Sequence, residues 1–257
     1  MESGIHSVLS SCFLFEESKE IKWQKGTPES LSKSDFADVW RIPLPSYIKY
    51  IPKLYRTLQS DEKARSASFL KEKDSDRFIV GRAMLRILLG EYLNIEADML
   101  TFGFDKNKKP DLKHDGKSVI HFNLSHSGEY ILIAISDKFI GIDIERYEYD
   151  PGLKQIMELI FSESEISFIN KQDSPSRIFY KLWTRKEALL KANSSGLNNM
   201  IKYIPCLNSN YLVNYSSTIS FKNWKVNSFY IDEEHPASVA YIGDQTKLFF
   251  RQYNGFK

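Results

Sequence analysis

The chain contains only two cysteines, Cys12 and Cys206. Two thiols cannot form a disulfide framework or a multi-thiolate zinc site by themselves, which excludes disulfide-stabilised small domains and thiolate zinc modules. Such low cysteine usage is typical of proteins in a reducing compartment, so we expect a cytoplasmic location.

An excess of charge of one sign is also missing, because the formal net charge is only +2. Nucleic-acid binders usually carry a strongly basic domain, so we expect no nucleic-acid partner. Long hydrophobic runs are absent as well, since no segment approaches the roughly 20 apolar residues that span a bilayer. The first apolar run follows Glu2 and no basic segment, which makes a poor secretory signal. We therefore expect no membrane partner.

What the chain does have is enough apolar material for a real core. Its 257 residues are 42% hydrophobic and 26% charged, which fits one large domain or two modest ones. Residues 16–35 are polar and rich in residues that break regular structure, so we expect an N-terminal extension over 1–35 that can be partly disordered. The remainder divides into an N-terminal half, 36–136, and a C-terminal half, 137–257.

The hydrophobic pattern predicts an α+β fold, because strands, a helix, strands, helices and strands follow one another. Predicted strands cover 36–44, 119–127, 130–136, 139–145 and parts of 211–243. Short turns separate the three middle strands, which favours antiparallel pairing by hairpins.

Three helices are predicted from spacing and from their start signals. The first covers 75–93 and begins near Asp74 or Ser75 as N-cap. A second, 161–169, has the capping box formed by Ser162 and Glu165. The third covers 176–192, with Pro175 at the favourable first helical position.

One predicted strand carries two acids on the same face. Within "FIGIDIERYE", residues 139–148, Asp143 and Glu145 stand two apart, so they share the face opposite the isoleucines. A solvated strand face is the plain alternative for such a pair. Helix 176–192 adds Glu187 and Lys191, four residues apart on one side, for which a surface ion pair is the alternative. Three clustered carboxylates would suit Mg²⁺ far better than zinc.

Ser125 and His126 are sequence neighbours that could suggest a hydrolase. On a strand, however, neighbouring side chains point to opposite faces, which places nucleophile and base badly. We therefore do not favour hydrolase chemistry for this pair.

Five motifs together resemble a known family. They are "KKP" (108–110), "FNLSHSGEY" (122–130), "GIDIE" (141–145), "FSESE" (161–165) and "WTRKEALLK" (183–191). Their order and approximate spacing resemble those of the Sfp-type 4′-phosphopantetheinyl transferases, and weaker likeness extends from about residue 36 to "HPASVAYIG". Residues 1–35 lie outside the resemblance.

The resemblance implies a reaction and a fold. Such enzymes transfer the 4′-phosphopantetheine arm of coenzyme A to a serine of an apo acyl or peptidyl carrier protein and release adenosine 3′,5′-bisphosphate. The family fold is a pseudo-dimer of two similar α/β halves, with coenzyme A and Mg²⁺ in the cleft between them, and Mn²⁺ is a possible substitute. Members of this length are generally monomeric, so we expect a monomer.

The resemblance also assigns the acids. Asp143, Glu145 and Glu187 match the metal-binding acids, and Lys191 matches the lysine that contacts the pyrophosphate. Glu187 is the best candidate for the catalytic base, directly or through a water. Glu165 matches an additional acid that could share this work, although its place in a capping box explains it equally well.

Further residues match the positions that contact coenzyme A. His126 is expected at the 3′-phosphate, and Ser125 beside the phosphates or the adenosine. Arg77 matches a nucleotide-contacting arginine and Lys109 a lysine before proline, with Lys108 as competitor. Arg65 and Lys63 are looser candidates for the 3′-phosphate, and for Lys63 a solvated helix face is favoured.

Two alternatives remain open beside carrier-protein modification. A non-catalytic module of the same fold could bind coenzyme A or a carrier protein. A metal-dependent pyrophosphate hydrolase would share the metal chemistry and differ in the acceptor. The presence of Asp143, Glu145, Glu187 and Lys191 together favours the transferase, because binding alone would not require the whole set.

Overall fold

The computed structural model describes residues 10–28, 34–104, 110–112, 120–148, 152–193, 201–208, 210–214 and 223–256. The strands are β1 (Ser10–Glu17), β2 (Gln24–Gly26), β3 (Phe36–Pro43), β4 (Phe102–Phe104), β5 (Pro110–Leu112), β6 (His121–Ser127), β7 (Tyr130–Ser136), β8 (Ile140–Ile144), β9 (Asn210–Asn214), β10 (Trp224–Tyr230), β11 (Pro236–Ile242) and β12 (Lys247–Tyr253). The α-helices are α1 (Leu44–Tyr47), α2 (Ile51–Leu54), α3 (Ser60–Ala67), α4 (Glu72–Leu93), α5 (Leu153–Ile160), α6 (Glu163–Asn170) and α7 (Pro175–Ala192). The predicted mixture of helices and strands is confirmed.

Two five-stranded sheets organise these elements. The first sheet has the order β2-β12-β3-β7-β6, and the second has the order β8-β11-β10-β1-β9. Strands β4 and β5 form a separate two-stranded hairpin. The strands β6 and β8 each lie at one edge of their sheet, and this position matters for the site described below.

Helix α4 covers one face of the first sheet. It begins at Glu72, three residues before the predicted start, with Lys71 rather than Asp74 or Ser75 at the N-cap position. Its buried side chains pack with alternate residues of β3 and β7, such as Trp40 and Ile133, in one apolar core. The helix ends at Leu93, because the next residue, Asn94, has a left-handed φ of 55° that stops further helical hydrogen bonding.

Helix α7 covers the outer face of the second sheet. It starts at Pro175, as predicted, and its buried residues share a core with Trp224 and Val226 of β10. Helix α6 starts with the predicted capping box, in which the Ser162 hydroxyl accepts from the Glu165 amide and the Glu165 carboxylate accepts from the Ser162 amide.

A third apolar core lies between the sheets. Leu132 and Val39 of the first sheet pack there with Ile142 and Ile144 of the second. The predicted hairpin between 119–127 and 130–136 is confirmed as the antiparallel pair β6–β7. The expected hairpin between 130–136 and 139–145 is wrong, because β8 leaves the first sheet and pairs antiparallel with β11. The isoleucines of β8 are buried better between two sheets than they would be at one sheet's edge.

The N-terminal segment enters the fold further than its polar composition suggested. Strand β1 lies between β10 and β9 of the second sheet and buries Phe13 and Phe15. Strand β2 pairs with β12 in the first sheet, whereas β1 pairs with β10 in the second. The N-terminal segment therefore supplies one strand to each sheet. None of the helices within the described ranges is long and apolar enough to cross a membrane.

Candidate active site

The edge strands β6 and β8 meet through the polar face of β6. Asn123 and Ser125 alternate with the apolar Phe122 and Leu124, so their side chains point together toward β8. The Asn123 Oδ1 accepts a hydrogen bond of 2.9 Å from the amide of residue 142. The Ser125 hydroxyl donates to Asp143 Oδ1 at 2.9 Å. Side chains thus replace a backbone ladder where the two sheets join, and Asp143 lies at this junction.

Helix α7 approaches β8 closely because position 141 is glycine. A Cβ atom at Gly141 would overlap the carbonyl oxygen of Ala188 and the amide of Ala192, and would lie 2.9 Å from the Ala192 Cα. Any other residue would therefore push the helix outward. The close packing brings the side of α7 that carries Glu187 and Lys191 against the acids of β8.

The side of α7 that carries Glu187 and Lys191 faces the acids of β8, as predicted. The Lys191 ammonium donates to Asp143 Oδ1 at 2.6 Å and to the Ser125 hydroxyl at 3.1 Å. The Trp183 side chain donates a hydrogen bond to Glu145, and Glu187 is close enough to Asp143 and Glu145 to affect their electrostatics. The three acids and the lysine expected from the sequence are thus one cluster, which we call the acidic cluster (Asp143, Glu145, Glu187 and Lys191).

Burial raises the pKa values of all three acids, and repulsion by Asp143 adds to this effect for the two glutamates. Burial and then the neighbouring Asp143 raise the pKa of Glu187 to about 7. The same two causes raise the pKa of Glu145 to about 7, although Lys191 and the Trp183 hydrogen bond oppose them. Burial also raises the pKa of Asp143 above its usual range, against the effect of Lys191. With all three carboxylates ionised, the cluster would carry more negative charge than its one ammonium group neutralises, and the raised pKa values show that this ionised state is disfavoured.

The donor set fits a hard divalent cation. Asp143 Oδ2 and Glu187 Oε1 are buried and have no hydrogen-bond partner in the described part of the chain. Buried carboxylate oxygens without partners are costly, and a metal ion bound through oxygens would satisfy them. As placed, however, no three His, Cys, Asp or Glu side chains of the described residues converge on a single ion position. The three carboxylates are the type of ligand that Mg²⁺ prefers, and the Lys191 ammonium lies beside one of them, Asp143.

A largely apolar pocket with two basic side chains in its wall lies on the other side of β6. His126 points away from Ser125 toward α4, where a cavity of about 190 Å³ has Phe78, Arg82 and His126 among its walls. Desolvation lowers the pKa of His126, and the charge of Arg77 lowers it further. Arg77 also donates to the carbonyl of Gly128 at 3.4 Å. The expected pair of Arg77 and His126 is therefore brought together, with Arg77 also paired to Asp74 at 3.4 Å.

The looser candidates have different positions. Arg65 is exposed at the end of α3, and its guanidinium lies 5.5 Å from the centre of the Phe78 ring beside the same cavity. Lys63 lies on the same short helix, where its ammonium is 5.5 Å from the ring centre of Tyr55. Lys109 and its competitor Lys108 lie outside the described residues. Their assignment stays a prediction.

Glu165 is occupied by structural contacts. Its carboxylate accepts from the Ser162 amide at 2.9 Å and from the buried Lys186 ammonium at 2.8 Å. Its second oxygen accepts from the Cys206 amide at 3.2 Å. Within the described ranges, no hydrogen bond or ion pair of this carboxylate involves the acidic cluster. The contacts favour the capping interpretation, and a catalytic share for Glu165 stays a prediction that they do not support.

Sequence reasoning missed Asn123 and Gly141. Asn123 links the two sheets, and its signal was the series of polar residues at every second position, 123, 125 and 127. Gly141 sets the distance between α7 and β8, and its signal was a lone glycine inside a strand pattern, which often marks close backbone approach. Both residues act by placing the acids.

Comparisons with known proteins agree with this geometry. Residues 139–241 match the family model described as the 4′-phosphopantetheinyl transferase superfamily, and residues 44–138 match the one described as 4′-phosphopantetheinyl transferase, N-terminal. The chain is 34% identical over 179 residues to the 4′-phosphopantetheinyl transferase HetI of Nostoc sp., covering 68% of this chain and 76% of HetI.

Two further relatives come from Aneurinibacillus migulanus and from Homo sapiens. The 4′-phosphopantetheinyl transferase gsp of Aneurinibacillus migulanus is 32% identical over 175 residues, covering 67% of this chain and 61% of that protein. The human L-aminoadipate-semialdehyde dehydrogenase-phosphopantetheinyl transferase is 29% identical over 221 residues, covering 77% of this chain and 71% of that protein. The matched ranges include strands of both sheets and the whole acidic cluster, and the chain belongs to the 4′-phosphopantetheinyl transferase superfamily.

Proposed function

We propose that this enzyme transfers the 4′-phosphopantetheine arm of coenzyme A to a serine of an apo acyl or peptidyl carrier protein in a Mg²⁺-dependent reaction. The observation that carries the proposal is the acidic cluster with its two buried, unpartnered oxygens, Asp143 Oδ2 and Glu187 Oε1. Its position where the edges of two sheet-and-helix halves meet supports the pseudo-dimer with a central cleft.

The reaction determines what the residues must do. The serine oxygen forms a bond to the β-phosphorus of coenzyme A, the bond between that phosphorus and the bridging oxygen breaks, and adenosine 3′,5′-bisphosphate leaves. When bound, Mg²⁺ supplies charge neutralisation on the pyrophosphate. Asp143, Glu145 and Glu187 would hold it, because they are the hard oxygen donors at this place.

Glu187 is suited to take the serine proton. Its carboxylate lies in the acidic cluster and keeps one buried oxygen, Oε1, without a partner among the described residues, so an oxygen is available to accept the proton directly or through a water. Lys191 can contact the pyrophosphate, because its ammonium lies at the same cluster and 30% of its side chain is exposed. A compact ammonium stabilises the charge of the transferring phosphoryl group.

The pocket on the other side of β6 suits the 3′-phosphate. Arg77 lies close enough to His126 to lower its pKa, and the Arg65 guanidinium lies beside Phe78. Phe78 gives the same pocket an apolar wall for a nucleotide. Ser125 and His126 on opposite faces of one strand would then hold opposite parts of one coenzyme A molecule. The monomeric state and the cytoplasmic location stay predictions.

Mass spectrometry tests the proposal against its alternatives. An apo carrier protein incubated with coenzyme A, Mg²⁺ and the enzyme should gain the mass of one phosphopantetheine on serine. A binding module would leave both carrier protein and coenzyme A unchanged. A pyrophosphate hydrolase would consume coenzyme A without modifying the carrier protein.

A further inference from the structure

Lys191 lies where a cation would neutralise the acidic cluster. Its ammonium donates to Asp143 Oδ1 at 2.6 Å and to the Ser125 hydroxyl at 3.1 Å. The Asp143 side chain is 3% exposed, whereas that of Lys191 is 30% exposed. The carboxylate is therefore fixed in the interior, and the lysine reaches it from the solvent side on a flexible four-carbon stem that can withdraw.

A single ammonium only partly satisfies this cluster. Asp143 Oδ2 and Glu187 Oε1 keep no hydrogen-bond partner among the described residues, and no three acidic side chains there converge on an ion. A divalent cation would bring twice the charge and coordinate both oxygens. It would have to share Asp143 with Lys191, and two cations at one carboxylate repel each other.

We propose that Lys191 closes the metal position in the free enzyme and that the pyrophosphate of coenzyme A opens it by drawing the ammonium away from Asp143. This inference rests on the proposed function. Coenzyme A and the metal then bind together, since each removes an obstacle to the other. Thermodynamic linkage requires the coupling to be reciprocal. Lys191 thus controls whether the metal can bind, in addition to its contact with the pyrophosphate.

Mn²⁺ binding measured by electron paramagnetic resonance tests the inference without any turnover. The free Mn²⁺ signal is titrated with wild-type enzyme, Lys191→Met and Lys181→Met, each with and without coenzyme A and without carrier protein. Lys181 is the matched control, because it lies on the same helix and pairs with Glu17 instead of the acidic cluster. Circular dichroism checks folding, and Lys191→Gln replaces Lys191→Met if the latter does not fold.

Without coenzyme A, the Lys191→Met enzyme should bind Mn²⁺ at least tenfold more tightly than wild type, and Lys181→Met should match wild type. Coenzyme A should strengthen Mn²⁺ binding at least tenfold in wild type and by less in Lys191→Met. Equal or weaker Mn²⁺ binding by the folded Lys191 variant overturns the inference, and the proposed transfer stands if coenzyme A still promotes binding. If Mn²⁺ stays free in every sample, both the inference and the proposed metal site fail.

Discussion

Two groups of buried charged side chains, one in each half of the enzyme, differ in whether every carboxylate oxygen has a partner. In the first half, Glu62 is paired through both oxygens, with Arg86 at 2.7 Å and Arg82 at 3.2 Å, while Arg86 also donates to two backbone carbonyls. In the second half, Asp143 and Glu187 each keep a buried oxygen without a partner in the described ranges.

The difference separates architecture from chemistry. In a fully paired buried cluster the ion pairs offset much of the desolvation penalty of the charges, and here they join α3 to α4. Burying a carboxylate oxygen without a partner lowers the free energy of unfolding, and proteins retain such groups where a ligand binds them. The same contrast occurs within the second half, where the Glu165 carboxylate is paired with Lys186 and Cys206. Changes in the two clusters should therefore affect different properties.

The largest effect is expected from Asp143→Ala. Transfer to an apo carrier protein should fall by several orders of magnitude, because the buried acid that joins both sheets and Lys191 is lost. The free energy of unfolding of the metal-free protein should change little, because the lost contacts with Ser125 and Lys191 are offset by relief of the repulsion between Asp143 and the two glutamates. Steady-state transfer assays and urea denaturation measure the two properties. Transfer within tenfold of wild type would contradict a metal role for Asp143.

The opposite outcome is expected in the first cluster. Glu62→Gln leaves Arg86 buried without its counter-ion, which should lower the free energy of unfolding by about 3 kcal/mol. Transfer per folded molecule should stay close to wild type. Urea denaturation and an assay below the unfolding transition test this. A large loss of turnover with unchanged stability would show that the contrast between the clusters is misplaced.

Gly141→Ala tests how the helix positions the acids. The added methyl group overlaps backbone atoms of Ala188 and Ala192, so α7 must move away from β8. We expect a loss of about a hundredfold in kcat/KM, as is typical of displacements near 1 Å, and about 1–3 kcal/mol of stability.

The matched control for this variant is Gly81→Ala in α4. A Cβ atom there would have ordinary contacts, 3.5 Å from Leu124 and 3.6 Å from Ile131. Alanine is also preferred over glycine inside a helix by about 1 kcal/mol. The control should keep or gain stability, and only stability is compared, because Gly81 also lines the pocket beside His126. Equal losses of stability for the two variants would show that close packing at Gly141 has no special role.

The smallest effect concerns pH and the metal-free protein. The pKa of Glu187 rises from an ordinary 4.5 to about 7 on folding, so between these values the folded state binds more protons than the unfolded state. Its contribution to stability is present below pH 4.5 and is lost as the pH rises through 7. Glu187→Gln should therefore be more stable than wild type at pH 8 by about 1–2 kcal/mol, and this advantage should vanish near pH 5.

Urea denaturation in a chelator at both pH values measures this difference. The exposed Glu148 provides a control, because Glu148→Gln removes the same charge outside the cluster. A Glu187→Gln advantage that did not change with pH would mean that Glu187 has an ordinary pKa.

Sequence patterns predicted the elements that obey local rules. Helices α6 and α7 were found because Ser162, Glu165 and Pro175 mark their starts, and the stripe of Glu187 and Lys191 follows from helical spacing. These features depend on residues within a few positions of each other. The family motifs then assigned the acids of the cluster before any geometry was available.

Non-local features were missed. The move of β8 from the first sheet to the second depends on apolar contacts among Val39, Ile142 and Val239, which are far apart in the sequence. Strand β1 was taken for part of an extension because its partner strand β10 begins only at Trp224. The contact between Lys191 and Asp143 likewise depends on how closely α7 packs at Gly141. Local spacing contains no information on such distances.

The most direct test of the account follows the mass of an apo carrier protein incubated with coenzyme A and chelator-treated enzyme, before and after Mg²⁺ is added. We predict no change in mass before the addition and a gain of one phosphopantetheine after it, because the unpartnered oxygens of Asp143 and Glu187 need the cation. Modification at the same rate in the chelator would contradict the account.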